Sequence, residues 1–149
     1  MKLLIGLLLL SNLTFGQIQL NKPEITIPFA LFAGMCDGFS QTLYSHYYAF
    51  ENKFPEANSQ YWDPHESWKN KYLNGDPAQG EKFLGSTTFL VFSTDAFHLM
   101  RTLNKINLVT LGALEFSEKR PFWNYVIDIV VYSAVYSAGF TLTYEVIFK

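Results

Sequence analysis

The sequence predicts an all-α protein: a small bundle of three long helices plus short helices, with an ordered polar lid between the first two long ones. Three observations predict it. Ile25–Phe50, Phe83–Leu103 and Pro121–Tyr144 are apolar stretches too long for ordinary strands. The segment between the first two is dense in helix-start and helix-stop signals. With 49% hydrophobic and 17% aromatic residues in a chain of 149, one domain has core material to spare, and no disulfide or metal staple is required.

The elements follow in chain order. Lys2, the apolar run Leu3–Leu10 and the polar exit 11–16 read as an export signal, with Thr14 and Gly16 at a cleavage site and Gln17 as the new N-terminus. The run is shorter than the roughly 20 residues that span a bilayer. Residues 17–149 are then a single helical domain. In Ile25–Phe50, Asp37 is the one acidic or basic residue apart from His46. A helix starting near Pro28 fits, since proline is tolerated in a first turn. Gly34 and Gly38 form a smooth strip where a second helix can approach.

Residues 51–82 make the lid. Asp63-Pro64-His65-Glu66 has an N-cap acid, proline at the first helical position and a glutamate two residues further on. It predicts about three turns from Pro64 to Leu73, stopped by Asn74-Gly75. Asp76-Pro77-Ala78-Gln79 repeats the start signals. Trp62, Trp68, Tyr72 and Phe83 can fold back as apolar anchors. Leu84–Leu103 is the second long helix, capped by Ser86 and broken at residues 104–107. Leu108–Phe116 is a short helix. Pro121 opens the last long one, whose tail could alternatively form a terminal strand.

Composition narrows the function. Net charge is −2 with no basic run, so nucleic acid is not an expected partner. The lone Cys36 closes no intramolecular disulfide and fits no metal spacing. Each long stretch carries an acid near its middle, Asp37, Asp95 and Asp128, which in lipid would have to face inward and pair. The balance leans towards a helical domain that contacts or enters a membrane. A membrane or lipid is the expected partner, a protein partner is compatible, and no motif specifies a cofactor.

Helical spacing sorts the polar residues into stripes. Asp95, His98, Arg101 and Thr102, with Thr87 and Thr94, mark the second helix. Tyr125, Asp128, Tyr132 and Tyr136 mark the last. Asp37, Gln41, Tyr44 and Ser45 mark the first. Facing one another, they would enclose Asp37, Gln41, Arg101, Asp128 and Tyr132 around the Asp95/His98 pair. That cluster has three readings: a satisfied buried network; a metal site with Asp95, His98 and Asp128 as ligands; or acid–base chemistry on a lipid or cell-wall substrate, with His98 as base and Asp95 orienting it. Trp62, Trp68, Lys69 and Lys71 are the ligand-binding candidates of the lid, the lysines for an anionic head group beside the Asn74-Gly75-Asp76 turn.

An Asp and a His one turn apart on an apolar helix, followed by Trp123, Asp128 and Gly139 as W-x4-D-x10-G, resemble the YfiM-like periplasmic lipoproteins of bacteria. The resemblance covers the latter half of the chain. It implies an envelope location and a helical core, without an activity. The chain departs from that pattern in lacking the lipid-attachment cysteine, in an Asp–His spacing one residue shorter than Asp-Lys-x-x-His, and in its inserted lid. The expectation is an exported envelope protein at or in a membrane, a non-catalytic binding or assembly component. The alternative is a small hydrolase or metal-dependent enzyme acting at Asp95 and His98.

Overall fold

The computed structural model describes residues 22–149. The expected export signal, residues 1–16, lies outside them. The protein is all-α: among the described residues the one extended pairing is an isolated antiparallel bridge between Tyr72 and Glu81.

Helix α1 runs Pro23–Ser45. Pro23 supplies the early proline, so the helix begins before Pro28, which sits inside it. The stretch to Phe50 is not continuous. His46, at φ −139°, breaks it, and α2 follows over Tyr47–Lys53. The His46 ring leaves the helix line to bond the Tyr144 hydroxyl at 2.7 Å.

The lid is ordered but less helical than its caps promise. Helix α3 spans Ser59–Trp62 and α4 spans Pro64–Ser67, with Asp63 Oδ1 accepting from the His65 amide as expected of an N-cap. The three-turn helix to Leu73 does not form. A 3-10 turn, Trp68–Lys71, replaces it, and Tyr72 turns extended. Tertiary bonds decide this: the Lys71 carbonyl accepts from Ser86 Oγ at 2.6 Å and from the Lys82 amide at 3.0 Å. Asn74 and Gly75, both at positive φ, reverse the chain, and Asp76 caps the short turn Pro77–Gln79.

The second long helix is displaced from its expected position. Residues 84–90 form turns around Gly85, at φ 82°, and helix α5 runs Ala96–Glu115 without a break. Ser86 is no cap; its hydroxyl holds Lys71. Asp95 is the cap instead, accepting from the His98 amide at 2.8 Å. The asparagines expected to end the helix are used within the fold. Asn104 Nδ2 donates to the Ala33 carbonyl of α1 at 2.8 Å, and Asn107 Nδ2 to Leu103 O at 2.7 Å. Helix α6 runs Phe122–Thr141, behind Pro121 as expected, and continues as a π-helix over Leu142–Ile147 rather than a strand.

Helix α1 is the spine. Both α5 and α6 pack along it and barely touch each other. The approach of α6 is close because three glycines lie in the crossing. A Cβ on Gly34 would fall on the Tyr136 carbonyl, one on Gly38 would crowd Phe140 O, and one on Gly139 would fall on Leu31 O. The helical cost of glycine is thus offset by packing. At the lid end, Leu43, Ala49, Phe50, Ala96 and Phe148 form the core, and Trp62 stacks on Phe50 with centroids 5.0 Å apart.

Candidate functional site

The structure distributes the three acids along the bundle instead of gathering them. Asp37 accepts from the Tyr136 hydroxyl at 2.8 Å, and that hydroxyl oxygen lies 3.2 Å from Asn104 Nδ2. Asp128 stands eight residues before Tyr136, about 12 Å along the axis of α6 at 1.5 Å per residue. Its partner is Arg120: Nη1 lies 2.9 Å from Oδ2. The contact is an ion pair by proximity. Oδ2 and Arg120 Nε are both buried without a hydrogen-bond partner among the described residues. Arg120 also pairs with Glu115, to which the Tyr132 hydroxyl donates while lying 2.8 Å from Thr26 Oγ1. Asp95 sits at the other end of α5.

Arg101 therefore offsets none of these acids. It is exposed, with its guanidinium 5.4 Å from the Phe97 ring centroid. Gln41 is exposed as well. Asp95 and His98 stay together, but Asp128 is remote from them. Among the described residues, no three His, Cys, Asp or Glu side chains are placed to hold a metal ion.

The arrangement around Asp95 and His98 has the geometry of a site. Asp95 is 1% exposed, and both its oxygens lie within 2.9 Å of His98 Nδ1. Burial pushes the Asp95 carboxyl up, but hydrogen bonds from the His98 ring and amide and from Thr94 outweigh it and hold the group below its usual range. An ionised carboxylate only accepts, so Nδ1 carries a proton directed at it. Nε2 faces Lys71 Nζ at 3.4 Å. A cavity of about 190 Å³ opens there, lined by Tyr44, Ser67, Trp68, Lys71, Phe97 and His98 among others.

The lid candidates divide. Trp62 is a core anchor and Trp68 a cavity wall. Lys69 lies 6.0 Å over the Trp68 ring and borders the Asn74-Gly75 turn, whereas Lys71 points the other way, to His98. Sequence reasoning missed what holds Lys71 in place. Asn70 Nδ2 donates to Gln60 O at 2.6 Å and to Thr94 O at 3.0 Å, tying the lid to the start of α5. No local pattern announces such bonds. The one signal for the Asp95 cap is its residue type, Asp being a favoured N-cap.

A larger cavity, about 420 Å³, lies between α5 and α6 with Ala30 of α1 behind it. Its walls include Leu108, Leu111, Phe116, Ile129 and Tyr132, and Glu115 and Asp128 mark its polar end. Trp123 of the W-x4-D-x10-G spacing is 71% exposed, and Gly139 is buried in the crossing with α1. No protein family, curated protein or solved structure matches the chain.

Proposed function

We propose that the chain is a cell-envelope protein embedded in a membrane through its helical bundle, with the lid folded at one end, and that it serves as a non-catalytic binding or assembly component. One observation carries this reading. The continuous helix Phe122–Ile147 is long and apolar enough to cross a membrane, yet 11% of its most apolar stretch is buried. At 1.5 Å per residue it extends about 39 Å, beyond the roughly 30 Å of a hydrocarbon core. Phe122, Trp123, Ile127, Ile129 and Val130 are all at least 60% exposed. An apolar face of this extent is rare on a protein surrounded by water.

The polar groups support the same reading. Tyr132, Tyr136 and Asp128 on α6 turn towards Thr26, Asp37 and Arg120, as intramembrane polar groups must. Helix α5 is more polar, with Arg101 and Lys105 exposed, so the lipid-facing surface is centred on α6.

Alkaline carbonate extraction of cell membranes tests the reading. The protein is expected in the membrane pellet and to need detergent for release. Recovery in the carbonate supernatant would overturn embedding and leave α6 as a docking face for another protein. A second reading, hydrolysis at Asp95/His98, is favoured by the His98 ring lining a cavity with Asp95 behind it. It predicts ester turnover that His98→Asn abolishes in a protein that still folds.

A further inference from the structure

Two cavities on the lid lie outside the one beside Asp95 and His98, and they share three lining residues, Gln60, Asn70 and Lys82. Their volumes, about 310 and 340 Å³, fall at the lower end of the range of small-ligand sites. We propose that this double cleft binds an acidic saccharide, its hydroxyls held by Gln60, Asn70 and Tyr61 and its acid by Lys69 and Lys82. The site stands whether or not α6 crosses a membrane.

The charge of the cleft is one-sided. Lys69 and Lys82 line it, and among the described residues no carboxylate does, although the chain has a net charge of −2. The acids near these lysines in sequence are used elsewhere. Glu66 accepts from the Ser59 hydroxyl, Asp76 from the Ala78 amide and the Gln79 side chain, and Glu81 from the Gly85 amide and the Thr87 hydroxyl. The ion pairs among the described residues are made by His65, His98 and Arg120, so neither ammonium has a carboxylate there. The fold fixes where the two lysines stand. The Tyr72–Glu81 bridge and the bond from Leu73 N to Gly80 O, 3.1 Å, close a hairpin between them, and the Lys82 amide is tied to Lys71 O. Two cations on the wall of one cavity draw an anion into it.

The neutral walls call for hydroxyl groups as well as a charge. Both amide protons of Asn70 are used, on Gln60 O at 2.6 Å and Thr94 O at 3.0 Å, which leaves its Oδ1 as a fixed acceptor. The Gln60 side chain, on the wall of both cavities, has no hydrogen-bond partner among the described residues and offers a donor and an acceptor. The Asn58 oxygen is occupied by the Gln60 amide, so its Nδ2 is left to donate. The Tyr61 hydroxyl, in the first cavity, is uncommitted among the same residues. Sugar hydroxyls donate and accept at once and so match this mixture. A bare phosphate or carboxylate only accepts and would leave Asn70 Oδ1 unserved. The C–H faces of a sugar ring also need an apolar wall, and each cavity has an aromatic one: Tyr61 and Phe83 in the first, Tyr72 in the second. An acidic peptide shares the charge but not the ring faces.

Calorimetry on the full chain in phosphatidylcholine nanodiscs tests the cleft. Digalacturonate and glucose 1-phosphate, which carry the acid as carboxylate and as phosphate, are titrated beside maltose and a triglutamate peptide. At least one acidic sugar should bind saturably with a Kd of about 1 mM or tighter, and the one that does identifies the acid. Maltose should bind about tenfold more weakly or less, the worth of one charge-assisted hydrogen bond. Lys69→Met and Lys82→Met should each weaken the acidic sugar by about tenfold, while Lys82→Arg retains it. Both lysines are exposed, so these variants should fold as the parent does. Gln60→Ala removes hydrogen bonds and no charge, and should weaken binding by about fivefold. Absence of saturable binding by both acidic sugars overturns the proposal. So does maltose bound as tightly as the acidic sugars, triglutamate bound more tightly than they are, or affinity unmoved by the two Lys→Met changes or by Gln60→Ala.

Discussion

Helix α5 has a buried acid at each end, and the two are stabilised by different means. Asp95 stands before the first turn, 1% exposed, and Glu115 closes the last turn, 7% exposed. At the N-terminus the helix itself favours a negative charge, since its free amides point at the carboxylate. The partners of Asp95 are adjacent in sequence: Thr94, the His98 amide and the His98 ring. At the C-terminus the carbonyls disfavour an anion, and Glu115 depends on groups brought from elsewhere: Arg120 from the following turn, Tyr132 from α6 and, through that hydroxyl, Thr26 of α1. Asp95 is thus a local device and Glu115 a tertiary one. Losing a partner should be costlier at the second.

Arg120→Met is the strongest way to break the comparison. It leaves both Glu115 and Asp128 without their cation, in a place where burial penalises bare charge. The expected loss is about 3 kcal/mol in denaturant unfolding in mild detergent, typical for breaking a buried pair, reduced here because Arg120 is partly exposed. Adding Glu115→Gln should restore part of it. A loss below about 0.5 kcal/mol would put this network in the class of solvent-screened surface pairs and erase the contrast.

Asp95→Ala comes next. It removes an N-cap and leaves the His98 Nδ1 proton without its acceptor. The cap alone contributes about 1–2 kcal/mol. Asp95→Asn keeps an acceptor for the His98 amide and should cost less. Should Asp95→Ala destabilise more than Arg120→Met, the lid end and not the far end holds the bundle together.

The same division between local and tertiary decides what the sequence made legible. Asp63, Asp76 and Pro121 mark element starts because their caps need only the next few residues. Gly34 and Gly38 announce a close crossing because little else explains glycine inside an apolar helix. Asp95 was misread. By periodicity an N-cap acid and an interior acid look alike, and taking Ser86 as the cap moved the helix start by more than two turns. That shift made Arg101 and Asp128 appear level with Asp95, although axial position depends on where each helix begins. Asn104 reads as a break because its use, a bond to Ala33 O on α1, lies 71 residues away in sequence. Lys71 was a candidate for a head group, but its pairing with His98 depends on Ser86 and Asn70 bonds that no spacing encodes.

The smallest expected effect sharpens the comparison through pH. The Asp95 carboxyl lies below its ordinary value of 3.8 in the folded state, because bonds from His98 and Thr94 outweigh its burial. A depressed carboxylate contributes stability that is fully present above its unfolded pKa and is lost as pH falls through the folded value. Unfolding curves should therefore show an acid limb beginning below about pH 4, where unfolded aspartate gains its proton first. Asp95→Asn should make that limb shallower. Glu81 is also held low, by the Thr87 hydroxyl and the Gly85 amide, and keeps a residual slope in the Asp95→Asn protein. Asp95→Asn combined with Glu81→Gln should flatten the limb further. An acid limb unchanged in Asp95→Asn would mean that the capping bonds persist in the unfolded chain, and the local device would then contribute nothing that depends on folding.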